Sequence, residues 1–358
     1  MGTAALPKIE RTAIPRFARI TLAIVFHALV RPANWLVTAL GREPLIVSIM
    51  NRAQQRGGLA RTFADYEPTE HDVFVSTFAK SGTNWMMQIA HQIAFRGAGD
   101  YEHIHDVVCW PDMKRRGKRQ ISIPLSDTMV QQASPTGLRV IKTHLSAHDV
   151  PYREQAHYLA VIRDPKELFV SSYFFAAGAA GPLMPTRDEW FELFLTDRFP
   201  FNFGHTWAEH TASYWALRDK PNVLVLLFQD MKRNLPGAVR AVADTLGVQL
   251  SDDELQAVID RSTFSYMSGI EDKFTPMPKG TLPWGEGLKM MRQGKSGNST
   301  ELLSREQQQR IDTHFQAELV RLGSDFPYEQ LFGRAETRSD RDTRTDAPSS
   351  PASIRNTA

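Results

Sequence analysis

The chain has almost no cysteine: among 358 residues there is one, Cys109. A lone thiol excludes a disulfide framework and a cysteine-rich zinc site, and it fits a reducing, cytoplasmic setting. His103-x-His105 and His205-x4-His210 lack a companion cysteine or carboxylate set at ligand spacing, so no metal is expected. A membrane-spanning run is missing too. The apolar stretch Ala23 to Val30 contains His27 and stops at Arg31-Pro32, well short of the roughly 20 apolar residues a spanning helix needs. No A-x-A cleavage pattern follows closely, which argues against a secretory signal. No repeat is visible. The formal net charge of +2 gives no reason to expect a nucleic-acid partner.

That small charge is unevenly spread. Residues 1–52 hold seven basic side chains (Lys8, Arg11, Arg16, Arg19, Arg31, Arg42 and Arg52) against Glu10 and Glu43. This local +5 leaves −3 for the remainder. The arginines alternate with Ile20, Leu22, Ile24, Leu29, Trp35 and Leu36, giving a basic, apolar arm. It reads either as a packed helix with arginines on its wet side or as an interfacial helix at the inner face of a membrane. At the other end, residues 334–358 alternate charge with nothing to bury, the signature of a disordered tail. The 42% hydrophobic and 23% charged content is ample for one large folded domain over residues 53–333. The sequence does not fix an oligomeric state.

Within that domain, nearly continuous apolar runs predict strands at Val73–Phe78, Leu138–Thr143, Tyr158–Ile162 and Val223–Phe228. Helical patterns fall at Asn84–Phe95, Lys166–Phe175, Asp188–Leu195 and Leu235–Leu246. This alternation predicts a three-layer α/β/α fold with a central, mainly parallel sheet, whose ligands bind beyond the carboxyl ends of the strands. After the first strand comes Ala79-Lys80-Ser81-Gly82-Thr83-Asn84-Trp85, a short loop with a lysine, two hydroxyls and a glycine at a helix start. Such a loop offers unpaired N–H groups and a helix dipole to an anion. It is not a Walker A motif, because the upstream glycine is missing and Lys80 precedes Gly82. Lys142 and His144, two apart at the end of another strand, point to one side and set a cation beside a proton acceptor. The lysine should depress the imidazole pKa and keep it neutral. At the third strand end, Asp164 is a good N-cap and Pro165 suits the first helical position. Arg163 and Ser171 can converge there on a second phosphate.

Together these segments resemble the cytosolic-type sulfotransferases that use 3′-phosphoadenosine 5′-phosphosulfate (PAPS). The family's Y-P-K-S-G-T-T-W is matched by Phe78 to Trp85, and its K-T-H-L by Lys142 to Leu145. Its R-N-P-K-D-x-x-x-S is matched by Arg163 to Ser171, its T-S-F-x-x-M by Ser262 to Met267, and its R-K-G-x-x-G by Arg292 to Gly297. Five motifs in family order, from Phe78 to Gly297, span most of the folded chain. The resemblance implies the P-loop-like sulfotransferase fold and transfer of a sulfuryl group from PAPS to a hydroxyl or amine, with desulfated PAP as product. By the same resemblance Lys80, Ser81, Gly82, Thr83 and Asn84 wrap the 5′-phosphosulfate. Trp85 and Phe264 sandwich adenine beside Ser262, while Arg163, Ser171, Arg292, Gln293 and Gly294 hold the 3′-phosphate. His144 is implied as the base, and Lys80 and Lys142 as the charge-neutralising cations. Asn84, Gln293, Asn298-Ser299 and Phe228 depart from the family pattern at positions that bear on donor affinity rather than donor identity.

Two rival readings are a P-loop kinase, with Asp230 after the Val223–Phe228 strand as a magnesium ligand, and a non-catalytic nucleotide sensor at a membrane. Transfer from ATP would mark the first, and loss of the base the second. For the acceptor, the segments between motifs are apolar and aromatic, among them Val107, Val108, Trp110, Met113, Tyr173, Phe174, Phe175, Leu183, Met184 and Trp190. Trp110, Phe174 and Phe175 are the acceptor-pocket candidates, Gly178 to Gly181 reads as a flexible lid, and a lipophilic alcohol, phenol or lipid is expected. Carbohydrate is the alternative.

Overall fold

The computed structural model describes residues 9, 11, 15–45, 47–48, 51, 59, 62–113, 121–275, 289–291 and 298–333. Its centre is a five-stranded, all-parallel sheet: β1 Asp72–Thr77, β2 Val108–Cys109, β3 Arg139–Thr143, β4 His157–Ile162 and β5 Val223–Leu227, in spatial order β2-β3-β1-β4-β5. All six residues of β1 are buried, as expected of a strand with an apolar centre, Val73-Phe74-Val75, covered on both faces. The predicted strands are each present to within a residue or two, and β2, too short to read from periodicity, adds an edge.

An N-terminal helix, α1 Arg16–Ala39, precedes the helices of the α/β body: α2 Thr83–Ala94, α3 Pro165–Ala180, α4 Phe228–Arg233, α5 Leu235–Thr245 and α6 Arg305–Arg321. Two apolar clusters divide the packing. One joins β1 and β3 to α2 and α5 through Phe74, Met86, Ile89 and Val239. The other joins α3 and α6 through Phe169, Trp207 and Phe315. This is the expected α/β/α layering. A buried ion pair braces the base of the sheet: Arg139 of β3 donates to Asp72 of β1 at 2.8 Å, and Tyr66 bonds both residues.

Chain order runs from β1 out to β2 and back to β3, then across β1 to β4 and β5. The direction therefore reverses beside β1, and the crevice at its carboxyl end is where such sheets bind ligands. Register brings the loops level there, since Ser76 pairs with Thr143 and Thr77 with Val161.

Three expectations need correction. The Gly178–Gly181 stretch is not a loop: the alanines around Gly178 carry α3 to Ala180, and only Gly181, at φ +52°, ends it. The N-terminal helix does not stop at Arg31-Pro32. It runs 24 residues, Arg16–Ala39, and by length and apolarity alone would suffice to cross a membrane. A π turn at Phe26–Val30, in which the Arg31 N–H reaches back to the Phe26 carbonyl, brings the chain past the proline with its helical course intact. Phe228 opens α4 rather than ending a strand, and Asp230 is engaged by Arg233 on that helix. The tail, residues 334–358, lies outside the described residues.

Candidate active site

The loop after β1 takes its shape from two backbone positions. Lys80 has φ +69° and Gly82 φ +100°. The first is unusual for a residue with a Cβ, and the second favours glycine. A Cβ on Gly82 would lie 2.8 Å from a ring carbon of Phe228. The turn is held from outside: Arg163, at the tip of β4, donates from Nη1 to the Lys80 carbonyl at 2.9 Å and from Nε to Glu167 at 3.4 Å. Its guanidinium also lies 4.4 Å from the Phe228 ring centre. Inside the loop, the Thr77 and Thr83 hydroxyls are bonded at 2.5 Å. Gly82 caps α2 without a side-chain acceptor, leaving the first-turn N–H groups of α2 directed at the crevice. Ser81 is fully buried, and its Oγ finds no partner among the described residues.

A cavity of about 910 Å³ opens at this point. Lys80, Gly82, Thr83, Asn84 and Trp85 line it, as do Lys142, His144, Arg163 and Ser171. Lys142 and His144 thus share one side of β3, as period two requires. Trp85 donates its indole N–H to the Ser262 carbonyl at 2.7 Å, and Phe264, 46% exposed, lines the same wall. Ser262 itself is buried beneath, its Oγ without a partner among the described residues. Arg292, Gln293 and Gly294 lie outside the described residues.

Electrostatics in this pocket are dominated by desolvation. Burial, and secondarily Arg163, lowers the Lys80 ammonium to about 7. Burial also lowers Lys142 to about 7, with Lys80 adding to the effect and Asp112 opposing it. The ammonium of Lys142 lies 3.2 Å from the Trp110 ring centre, and that of Lys80 lies 4.0 Å from Phe175. Two poorly solvated cations facing one cavity are suited electrostatically to a multiply charged anion. Burial, then Lys142, holds His144 well below the ordinary imidazole range, so the ring is neutral. Its Nδ1 lies 2.8 Å from the Thr77 carbonyl, which can only accept. Nδ1 therefore carries the proton and Nε2 presents a lone pair.

Two contributors escaped the sequence reading. Asp112 is buried and accepts from the His144 N–H at 2.6 Å and the Thr143 hydroxyl at 2.9 Å, fixing the Lys142–His144 segment. Phe203, at φ +48°, sets its ring 4.7 Å from the imidazole. The alternation Phe199-x-Phe201-x-Phe203-Gly204 was the available signal. Of the proposed acceptor residues, Trp110, Phe174 and Phe175 line the cavity. Val107, Val108, Leu183 and Trp190 are instead core residues, because their side chains fill the space between sheet and helices. Met113, Tyr173 and Met184 are not on the wall either. Asp230 is likewise absent from the cavity lining, so the magnesium-ligand reading has no geometric support.

A parallel sheet with a glycine-bearing loop after its central strand, two lysines and a free imidazole nitrogen on one cavity is an arrangement suited to a nucleotide-dependent group transferase. The sulfotransferase domain family matches residues 70–323, and the chain belongs to that family. It is 28% identical over 256 residues to Sulfotransferase 2A6 of Mus musculus, covering 70% of this chain and 85% of the relative. Its fold is similar to that of retinol dehydratase in complexes with retinol and PAP (TM-score 0.57, 21% identity, 73% of this chain and 84% of the other) and with androsterone and PAP (0.58, 20%, 78% and 88%). It is also similar to mouse sulfotransferase SULT7A1 complexed with PAP (0.53, 20%, 72% and 88%).

Proposed function

We propose that this sulfotransferase takes its sulfuryl group from PAPS and delivers it to a hydroxyl or amine of a lipophilic acceptor, with His144 as general base. The observation that carries the reading is the convergence of Lys80, Lys142 and the unprotonated Nε2 of His144 on one cavity whose remaining wall is largely apolar, with nine phenylalanine and tryptophan rings. The donor fits the residues present. The start of α2 and the two cations suit a phosphosulfate, and Phe264 is exposed in the cavity that Trp85 also lines, for a purine to stack on. When bound, PAPS supplies an electrophilic sulfuryl group on a phosphate leaving group.

The protein's own part follows from its geometry. Lys80 and Lys142 hold positive charge where the sulfuryl and phosphate oxygens would lie, and the N–H groups at the start of α2 add fixed dipoles. Arg163 and Ser171 would hold the 3′-phosphate, Arg163 while bracing the loop. His144 takes the acceptor proton at Nε2, and the Thr77 carbonyl stabilises the imidazolium through Nδ1. Phe203, Trp110, Phe174 and Phe175 exclude water from that transfer and favour an apolar acceptor over a sugar. The retinol and androsterone complexes of retinol dehydratase support this acceptor class.

The test is transfer of labelled sulfate from PAPS to a panel of phenols, sterols, lipids and sugars, with labelled ATP as a donor control. Sulfation of an apolar alcohol or phenol is expected, and exclusive sulfation of sugars would refute the acceptor reading. His144→Ala should lower turnover at least about a thousandfold, within the usual range for a lost general base, while PAP still binds. Unchanged turnover would remove His144 as the base.

A further inference from the structure

The N-terminal helix is where the described residues concentrate their exposed apolar side chains. Phe17, Ile20, Ile24, Leu29, Trp35 and Leu36 are all more than half exposed. The opposite stripe, Ala23, Phe26, Val30 and Val37, faces inward at helical spacing, and Phe26 is buried. The helix is therefore seated along the body with its apolar outer face turned away. The segment after it is fastened: Asn34 accepts from the Leu45 N–H at 2.8 Å, and Glu43 pairs with Arg198 at 2.8 Å. A soluble monomer rarely leaves so continuous an apolar strip uncovered.

Charge selects what covers it. Arg16, Arg31 and Arg42 are exposed, and no acidic residue occurs from Arg16 to Arg42. An apolar outer face edged by arginines, on a helix laid flat against its domain, matches the surface of an anionic bilayer. A second copy of the same strip would set arginines against arginines.

The helix also borders the active cavity. Its second half packs on the turn Gly181–Leu183, and Gly181, with Gly178 and Ala177 of α3, lines the cavity. We propose that α1 docks this enzyme in the plane of an anionic bilayer and sets the acceptor side of its cavity at the lipid surface, so that the acceptor is a lipophilic alcohol partitioned into the membrane. The docking stands on the helix alone, whereas the delivery of acceptor rests on the sulfotransferase reading above.

The experiment uses the full-length protein in three arms. In the first, co-sedimentation with phosphatidylcholine vesicles is measured with and without phosphatidylglycerol. Binding is expected only with the anionic lipid. Arg16→Gln with Arg31→Gln should weaken it roughly 30-fold, from about 1 kcal/mol per basic residue near the surface. Trp35→Glu with Leu36→Glu should remove it. In the second arm, a hydroxysteroid is offered either in those vesicles or on cyclodextrin. The Trp35/Leu36 variant should retain turnover with cyclodextrin and lose it with vesicles. The third arm is extraction at alkaline pH, which should release the protein.

Equal binding to neutral and anionic vesicles would overturn the proposal, as would undiminished binding by both double variants or resistance to alkaline extraction. A concentration-dependent dimer abolished by Trp35→Glu with Leu36→Glu would assign the strip to a second copy instead. If vesicle binding follows the expected pattern but the steroid is sulfated in neither form, docking is upheld and delivery of this acceptor is refuted.

Discussion

Donor binding should be steeply pH-dependent above neutrality, and the two cavity lysines set the size of the effect. In the ligand-free protein Lys80 and Lys142 both sit at about 7 because burial disfavours their charged forms. A bound phosphosulfate or phosphate restores the missing counter-charge and raises both. The bound state thus holds more protons than the free state, so affinity is full below pH 7 and is lost as pH rises through 7. Each lysine is about half protonated at pH 7 and about one-eleventh protonated at pH 8, so two of them weaken binding roughly 30-fold over that unit. His144 contributes nothing to the window, since it is neutral well below it. The phosphates of PAP, whose second ionisation falls near pH 6, contribute little above pH 7. Titration calorimetry of PAP at pH 7 to 9, in buffers of different ionisation enthalpy, reads both the slope and the proton uptake. The expected uptake approaches two protons at alkaline pH, and one in Lys80→Met. A dissociation constant flat across this range, with no proton uptake, would show that both lysines are already charged in the free protein and would refute the reasoning.

Gly82→Ala should disable the loop as much as the fold. The left-handed backbone costs about 1–2 kcal/mol for a residue with a Cβ, and the new methyl would press on Phe228 and through it on Arg163. PAP affinity should fall at least about tenfold, as one lost unit of 1.4 kcal/mol implies, and an unchanged value by calorimetry would mean the loop has slack. Arg139→Ala should destabilise the whole domain by about 3–5 kcal/mol, because it leaves Asp72 charged and buried without its partner. Chemical denaturation checks this, and a loss under about 1 kcal/mol would mean that Tyr66 and Thr69 alone satisfy the carboxylate.

The parts of the fold that were legible from sequence share a cause. Strand ends could be read because each buried run breaks where the chain meets polar residues that line the cavity: Phe78 before Lys80, Thr143 before His144, Ile162 before Arg163. Lys142 and His144 needed only the two-residue period of a strand to fall on one side. Asp112 and Phe203 were hidden because their importance lies in what they meet across the fold, 32 and 59 residues from His144 in the chain. The misread helix ends are local errors of another kind. Pro32 and Gly178 carry breaker propensity, but a π turn in one case and a run of alanines in the other keep the chain helical. Propensity describes the isolated residue, and here its neighbours outweigh it.

With His144 as the proposed base, the hydrogen bond from its Nδ1 to the Thr77 carbonyl bears on how activity can be lost. Many imidazole bases are oriented by a carboxylate, which one substitution can erase. Here the acceptor is main chain at the last residue of the central strand, and every amino acid supplies the same carbonyl. The tautomer is therefore inherited from the pairing of β1 with β3, as secure as the sheet itself. Sequence drift can replace the imidazole, or tilt it by altering Asp112 or the rings packed on it, but no substitution removes the carbonyl itself.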